Sequence, residues 1–457
     1  MSVPTLYPAD LDPALFARST YASRRRRRGL IDIPALINLM IVLLFLLPTR
    51  LVVPQLTGVG RPALMVGLLL TCLWLVSKAH PVLGTRGPQP VRWAAVAYMT
   101  SFLLSYAAGY LRGLPRLEAN AADTALISTV IFLGVIVATA DFVPNRARLD
   151  DVVRTIVWAG VVMALIGHIE FATGVVLSEY LTIPGLTLHG NLLGLEARGA
   201  GFYRVASTAT HYIEFSAVMA MVLPFALHLT LFGPTRGARA FALVSAILIG
   251  AAVPVALSRT GILAVAVGML ALLPVWSWRA RFNIAVMGVA VLAGLMVVRP
   301  GLLGTIRSLF LNLDRDPSIK GRTEDYAVVG HYIAERPILG RGIGTFIPDL
   351  YLILDNQWLQ TIIGGGIVGL AALIGLHLTA IVLCVIAIRR TREAVDRHLC
   401  ACLVSVQFIA LVAHATFDSF AFSTFTTVLA LATGLAGAMW RLTHPNRLIR
   451  SVGRSIG

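Results

Sequence analysis

The sequence predicts an all-α protein, a polytopic transmembrane bundle of about twelve helices with a long helical extracytoplasmic loop, and three observations predict it. Of 457 residues, 57% are hydrophobic and 13% charged, far too few polar side chains to cover a soluble globule of that size. Apolar stretches of about 17 to 25 residues recur, each long enough to cross about 30 Å of hydrocarbon as a helix. Arginine gathers in alternate connecting segments, the pattern expected of a multi-pass protein. Because every backbone group needs an internal partner in lipid, helices are expected rather than open sheet.

Taken in order, a basic cytoplasmic tail, residues 1–29, precedes a first span near 30–47. No small-residue cleavage site follows that span closely, so it is expected to be a retained anchor. Further spans lie near 62–78, 92–110, 122–141, 152–173, 210–232, 240–257, 260–276 and 282–298, completing nine helices within 30–298. Residues 299–356 form the long loop, expected to carry the chemistry. Three more spans near 357–388, 399–416 and 420–440 fill 357–440, and a second basic tail, 441–457, is again cytoplasmic.

The run Arg24 to Arg28 holds the N-terminus inside, and alternation then puts most cationic residues in cytoplasmic segments. The long outer loop breaks the rule with Arg299, Arg307, Arg315, Lys320, Arg322, Arg336 and Arg341. Long loops are less bound by charge, so these residues read either as a solvated surface or as a functional group. The loop has order of its own: Leu302, Leu303, Ile306, Leu309, Phe310 and Leu313 have helical spacing. A second helix is expected from about Thr323 to Arg336, with Tyr326, Val329, Tyr332 and Ile333 on one face and Pro337 beyond its end.

The net charge of +16 does not indicate nucleic acid, because the basic residues are dispersed among apolar spans and topology accounts for them. All cationic residues but Lys78 and Lys320 are arginine, the better side chain for bidentate phosphate contacts. Cys72, Cys384, Cys400 and Cys402 lie in or beside apolar spans, and their spacing suggests neither a disulfide framework nor a metal site.

Four outward segments concentrate ionisable groups. In the first, Arg204 is followed by His211 and Glu214 at the start of a span. A carboxylate there is a functional candidate by default, or it caps the helix N-terminus. The second, Ser258-Arg259-Thr260-Gly261, leaves Arg259 almost no loop to occupy, so it projects into the bundle or snorkels to the interface. The third runs from Gly321 and Arg322 through Glu324, Asp325, His331 and Glu335 to Gly340-Arg341-Gly342-Ile343-Gly344. With no strand before it, this glycine pattern is not a nucleotide-binding loop. The fourth, Asp355-Asn356-Gln357, opens a helix whose Gly365 and Gly369 suit close helix packing. His168 with Glu170, and His414 with Asp418, read as polar contacts at helix ends.

In this order the segments resemble the O-antigen ligase and polymerase superfamily of bacterial polytopic envelope glycosyltransferases. The matching pieces are Arg204 with His211, Ser258-Arg259, Arg322, Pro337-Ile-Leu-Gly340-x-Gly342-x-Gly344, Asp355-Asn356 and Gly366-Ile-Val-Gly369. Tyr212 replaces a proline of the family pattern, and Asp355 stands where many ligases have histidine.

The resemblance implies transfer of a glycan from a polyprenyl-pyrophosphate carrier to the hydroxyl of a glycan or glycolipid acceptor. It further implies an extracytoplasmic site in the bacterial inner membrane, among membrane lipids, with no cofactor, metal or nucleic acid. Guanidinium groups suit a pyrophosphate leaving group, so Arg204, Arg259 and Arg322 are expected to converge on it, with Arg341 a fourth. Asp355 is the first choice of general base, followed by Glu214 and His211, and direct displacement implies inversion. Polymerase and ligase remain alternatives. A lipid-glycan transporter is the rival class, with Arg and Glu forming a path.

Overall fold

The computed structural model describes residues 32–56, 58–79, 88–190, 196–198, 201–311 and 328–444. Among them are thirteen α-helices: α1 Ile33–Leu46, α2 Pro62–Ala79, α3 Pro90–Leu111, α4 Arg116–Phe142, α5 Arg146–Thr173, α6 Tyr212–Phe232, α7 Arg236–Val255, α8 Arg259–Leu272, α9 Trp278–Val298, α10 Leu302–Leu311, α11 Gln357–Arg390, α12 Ala394–His414 and α13 Ser423–Leu442. Residues 328–335 are helical too. Ten of these helices are long and apolar enough to cross a membrane, and α1 and α8 are shorter apolar helices. All twelve coincide with the spans read from hydropathy, and the chain is a polytopic helical bundle. Residues 1–29, residues 445–457 and Arg322 lie outside the described residues, and the second basic tail therefore begins within the end of α13, at Arg441.

Local sequence explains where the helices start. Asp32 accepts from the Ala35 N–H at 3.0 Å, Asn145 from Arg148 and Thr235 from Ala238, each occupying an orphan donor of the first turn. The apolar pattern then decides depth. In α6 everything from Glu214 to His228 is buried, and α13 is buried from Ser423 to Trp440 except at Thr426. These two helices, with α12, form the centre, whereas α9 has no buried residue and leaves its apolar surface to lipid.

Contacts between the loops sort them onto two ends. At one end, which we call the loop end, the segment after α1 is stitched to the segment before α6. Thr49 N–H donates to Thr208 O at 2.9 Å, and Leu51–Val52 pairs antiparallel with Thr187–Leu188. A second short ladder, Glu196–Arg198 with Phe202–Arg204, sets Arg204 at its edge. These ladders tie loops and leave the bundle all-helical. At the opposite end, buried Asp141 accepts from Trp74 Nε1 at 2.8 Å and pairs with Lys78 and Arg92. Arg441 reaches the Ala140 and Val143 carbonyls there. These cations sit at the C-terminus of α4, where the helix dipole favours them.

The main departure from expectation is in α11. Gly366 has φ 61° and ψ −165°, a conformation essentially confined to glycine, and it breaks the helix. The groups freed by the break are taken up by the long loop. Arg341 N–H donates to Ile363 O and Gly342 N–H to Gly364 O, while Ile367 and Val368 N–H donate to Pro337 O and Ile338 O. The Ser105 hydroxyl of α3 adds a bond to Gly364 O at 2.6 Å. Non-helical backbone at this depth is tolerated because protein satisfies it. Gly364 to Gly366 therefore seat the loop within the helix, a role different from the helix-packing face read from their spacing. The last third of the 299–356 segment is consequently anchored to α11.

Candidate functional site

The Arg204–His211 segment is fixed from below by Glu170 of α5, whose carboxylate accepts from Ser207 N–H at 2.9 Å and Leu177 N–H at 3.1 Å. Ser207 holds a left-handed backbone, φ 55°, and its hydroxyl donates to Met163 O. His168 is occupied separately, with Nε2 against Leu248 O at 2.9 Å. Arg204 donates to the Tyr212 hydroxyl and lies 4.3 Å over its ring. Tyr212, the departure from the family pattern, thus orients the guanidinium.

Arg259 opens α8 after a turn in which Leu257 is also left-handed, φ 50°, and fully buried. Among the described residues Ser207 and Leu257 are the two non-glycine residues with positive φ. Strain of this kind persists only where the surroundings over-determine it, and here it occurs in both arginine-bearing connections. One apolar cluster joins them: Phe202, two residues before Arg204, packs with Leu257, two before Arg259, under Leu302 of α10. Gly261 brings α8 close to α6, since a Cβ there would stand 2.5 Å from Ser216 Cβ.

His211 caps α6, its Nδ1 accepting from Ile213 N–H at 3.2 Å, which leaves the proton of the neutral ring on Nε2. Its ring lies 6.1 Å from Phe422. Glu214 is fully buried. One oxygen accepts from Thr210 N–H at 2.8 Å, and the other accepts from Thr424 and Phe425 N–H at 2.8 and 3.3 Å. It clamps the first turns of α6 and α13 together. Glu214→Gln is expected to lower the melting temperature, because an amide presents N–H groups where backbone N–H groups already point, and a buried donor without an acceptor costs about 1–3 kcal/mol. A fluorescence melt in detergent reads this; an unchanged melt would mean the clamp carries no stability.

Arg61, immediately before α2, faces the same carboxylate: burial lowers its pKa and the charge of Glu214 raises it. Its one signal was an arginine at the mouth of a span.

Asp355 precedes α11, whose start is stitched to the α12–α13 connection. Gln357 N–H donates to Phe417 O at 3.2 Å, Phe420 N–H donates to Gln357 Oε1 at 2.9 Å, and the Asn356 amide reaches Ala415 O at 3.5 Å. Asp418 in that connection faces Asp355, and burial first, then the Asp355 charge, push its carboxyl up to about 7. His414 does not pair with Asp418. Its Nδ1 meets the Ser419 hydroxyl and its Nε2 meets His377 Nε2 at 3.0 Å. His377 Nδ1 then meets Gln407 Oε1 at 2.7 Å, and the Gln407 amide donates to Thr433 at 3.0 Å. Sequence reasoning missed this chain. Its signal was His377 and Gln407 inside apolar spans, where polar side chains are costly.

Arg341 is mostly buried. It donates to the Tyr351 hydroxyl at 2.5 Å, Tyr351 donates to Glu118 at 2.6 Å, and Arg112 pairs with Glu118 as well. The guanidinium also lies 4.9 and 4.5 Å over the rings of Tyr332 and Tyr351. Its charge is met inside the loop's own anchorage. Arg322 is outside the described residues.

At the opposite end, His228, His398 and Cys402 bring three possible metal ligands within 4.8 Å of one another. Trp276 Nε1–H donates to His398 Nε2 at 2.8 Å, and His398 Nδ1 faces His228 Nδ1 at 3.1 Å. An imidazole accepting at Nε2 carries its proton on Nδ1, the atom that would have to ligate. A metal-bound histidine ordinarily donates through its other nitrogen, so the arrangement is a hydrogen-bonded chain opposed to a metal at His398.

The O-antigen ligase family matches residues 243–374, a segment that contains Arg259, Arg341, Asp355 and the break in α11 but not Arg204, His211, Glu214 or Asp418. No curated protein matches the chain.

Proposed function

We propose, for this member of the O-antigen ligase superfamily, a membrane glycosyltransferase that moves a glycan from a polyprenyl-pyrophosphate carrier to an acceptor hydroxyl at the loop end. The observation that carries the reading is the assembly of the site. The Arg204 and Arg259 connections share one apolar cluster, and Asp355 lies against the α12–α13 connection that Glu214 ties to α6. With the basic segments of the opposite end kept cytoplasmic, the loop end faces away from the cytoplasm of a bacterial inner membrane.

Asp355 takes the acceptor's proton as the acceptor oxygen bonds to the anomeric carbon. The bond from that carbon to the phosphate oxygen breaks, and its electron pair leaves with pyrophosphate. Arg204 and Arg259 meet the charge that develops there, with Arg322 as a further cation. Preorganised guanidinium groups are effective for this because they need no reorganisation as the bond breaks. Attack opposite the leaving group inverts the anomeric carbon. Glu214, with both oxygens engaged by backbone, is a positioning residue, and Arg341 holds the loop.

A transporter also uses broken helices, but the groups freed in α11 are filled by the loop backbone rather than lining a path. Purified wild type, Asp355→Ala, Glu214→Gln and Arg259→Ala, assayed with a lipid-pyrophosphate glycan, test the proposal. Large losses in all three variants are expected, and full activity in all three would sink the site. With a single lipid-linked repeat as both donor and acceptor, a polymerase builds a ladder and a ligase leaves the donor unextended.

A further inference from the structure

We infer that the groove between α1 and α5 is a binding site for a zwitterionic phospholipid whose head group carries a phosphate and a primary ammonium.

The two helices run side by side in the same direction. Asp32, before α1, pairs with Arg148 in the first turn of α5, and the far end of α1 is tied through Thr49 to the loop end. Between the helices lies a cavity of about 540 Å³, within the range of small-molecule sites, about 300–1,000 Å³. Four-residue steps line both walls, Asn38, Val42 and Leu46 on α1 and Arg154, Trp158 and Val162 on α5. Each wall starts polar at the end opposite the loops and turns apolar towards them.

That gradient matches a phospholipid, head group at the polar end and acyl chain along the apolar one. Arg154 marks the level of the head group, because α5 carries no Asp, Glu, Lys or Arg from Thr155 to Ile169. From Arg154 to Val162 the apolar wall rises about 12 Å, at 1.5 Å per residue. Val42 and Trp158 are exposed, so in a membrane the groove opens to lipid. The Trp158 ring is held at its side by stacking on Phe241 of α7, centroids 4.5 Å apart.

Charge selects the head group. Asp151, also in the groove, accepts from Arg154 at 2.9 Å on one oxygen and from Arg148 at 3.5 Å on the other. With Asp32 on Arg148, two carboxylates and two guanidinium groups cancel, which favours a head group of no net charge. Arg154 meets Asp151 through one terminal nitrogen and keeps other N–H donors for a phosphate. An ionised carboxylate has about four acceptor sites, so Asp151 can also accept from an ammonium. Asn38 Oδ1 is buried without a hydrogen-bond partner. Its amide turns easily about the broad terminal torsion, and an ammonium N–H in the groove satisfies it. A quaternary ammonium has no N–H and leaves it orphaned.

The lipid also supplies support that α1 lacks. Its 14 residues extend about 21 Å, short of about 30 Å of hydrocarbon. Yet its far end holds the Arg204–His211 connection, where Phe45 O accepts from the Thr208 hydroxyl.

The test is native mass spectrometry of the full-length protein, delipidated in detergent and titrated with phosphatidylethanolamine, phosphatidylcholine or phosphatidylglycerol of identical chains. In the wild type, one phosphatidylethanolamine should bind about tenfold or more tighter than either other lipid, the worth of a charge-assisted hydrogen bond. Arg154→Ala, which removes the phosphate's partner, and Val42→Trp, which fills the apolar wall, should each weaken it by a similar factor. Asn38→Leu should bring phosphatidylethanolamine towards the level of phosphatidylcholine. Leu39→Trp, also exposed on α1 but outside the groove, should leave binding unchanged. Equal binding of the three lipids, a preference for phosphatidylglycerol, or equal losses in Leu39→Trp and Val42→Trp overturns the site. So does a groove covered by a second copy, seen as lipid-free dimers that Val42→Trp breaks.

Discussion

Asp355→Asn is expected to reduce glycan transfer by about 10²–10⁴-fold, the range ascribed to a positioned general base, while leaving the melting temperature near that of the wild type. The two expectations have separate grounds. Asparagine keeps the size of the side chain at the mouth of α11 and its capacity to accept hydrogen bonds, and Asn356, Gln357 and Phe420 stitch that mouth to the α12–α13 connection. What is lost is the proton acceptor. The alternatives are already occupied: Glu214 accepts three backbone N–H groups, and His211 Nδ1 accepts from Ile213. A combined measurement of kcat, KM and thermal unfolding reads the distinction. A loss confined to KM would make Asp355 a binding group, and a matching drop in melting temperature would make it structural.

Gly366→Ala is expected to do the largest damage to the fold. The backbone conformation at Gly366 alone disfavours a side chain by about 1–3 kcal/mol, and a Cβ would stand 2.2 Å from Ile338 O. That carbonyl accepts from Val368 N–H, and its neighbour Pro337 O accepts from Ile367 N–H. Relieving the contact would thus release backbone donors that find no water in lipid, each costing about 1–3 kcal/mol when orphaned. Gly375→Ala, in the same helix with nothing within 4 Å of the added carbon, is the matched control. Thermal unfolding and protease sensitivity of the loop measure the effect. Equal stability of both variants would contradict the joint between the loop and α11.

The spans were legible because lipid imposes a single requirement, length of apolar sequence, and Pro62, Pro90 and Ser277 mark helix starts by local chemistry. The conformational break at Gly366 was not. Its groups are satisfied by Pro337 to Gly342, and no local pattern distinguishes a glycine that packs a helix from one that admits a loop. Arg204, His211, Glu214, Arg259 and Asp355 stood out as ionisable residues at span ends, but the role of Glu214 depends on where Thr424 comes to rest. The burial of Asp418 was hidden for a similar reason: it arises only when the α12–α13 connection comes to rest against the start of α11. Arg61 became visible only once the fold set it where the charge of Glu214 acts on it.

A structure with a polyprenyl pyrophosphate bound tests the central claim most directly. The account expects the phosphates within hydrogen-bond distance of the Arg204 and Arg259 guanidinium groups, with the prenyl chain leaving between helices and the Asp355 carboxylate directed at the carbon-bearing side. Phosphates seated at the opposite end, beside Lys78 and Arg92, or Arg204 and Arg259 pointing to separate surfaces, would contradict it.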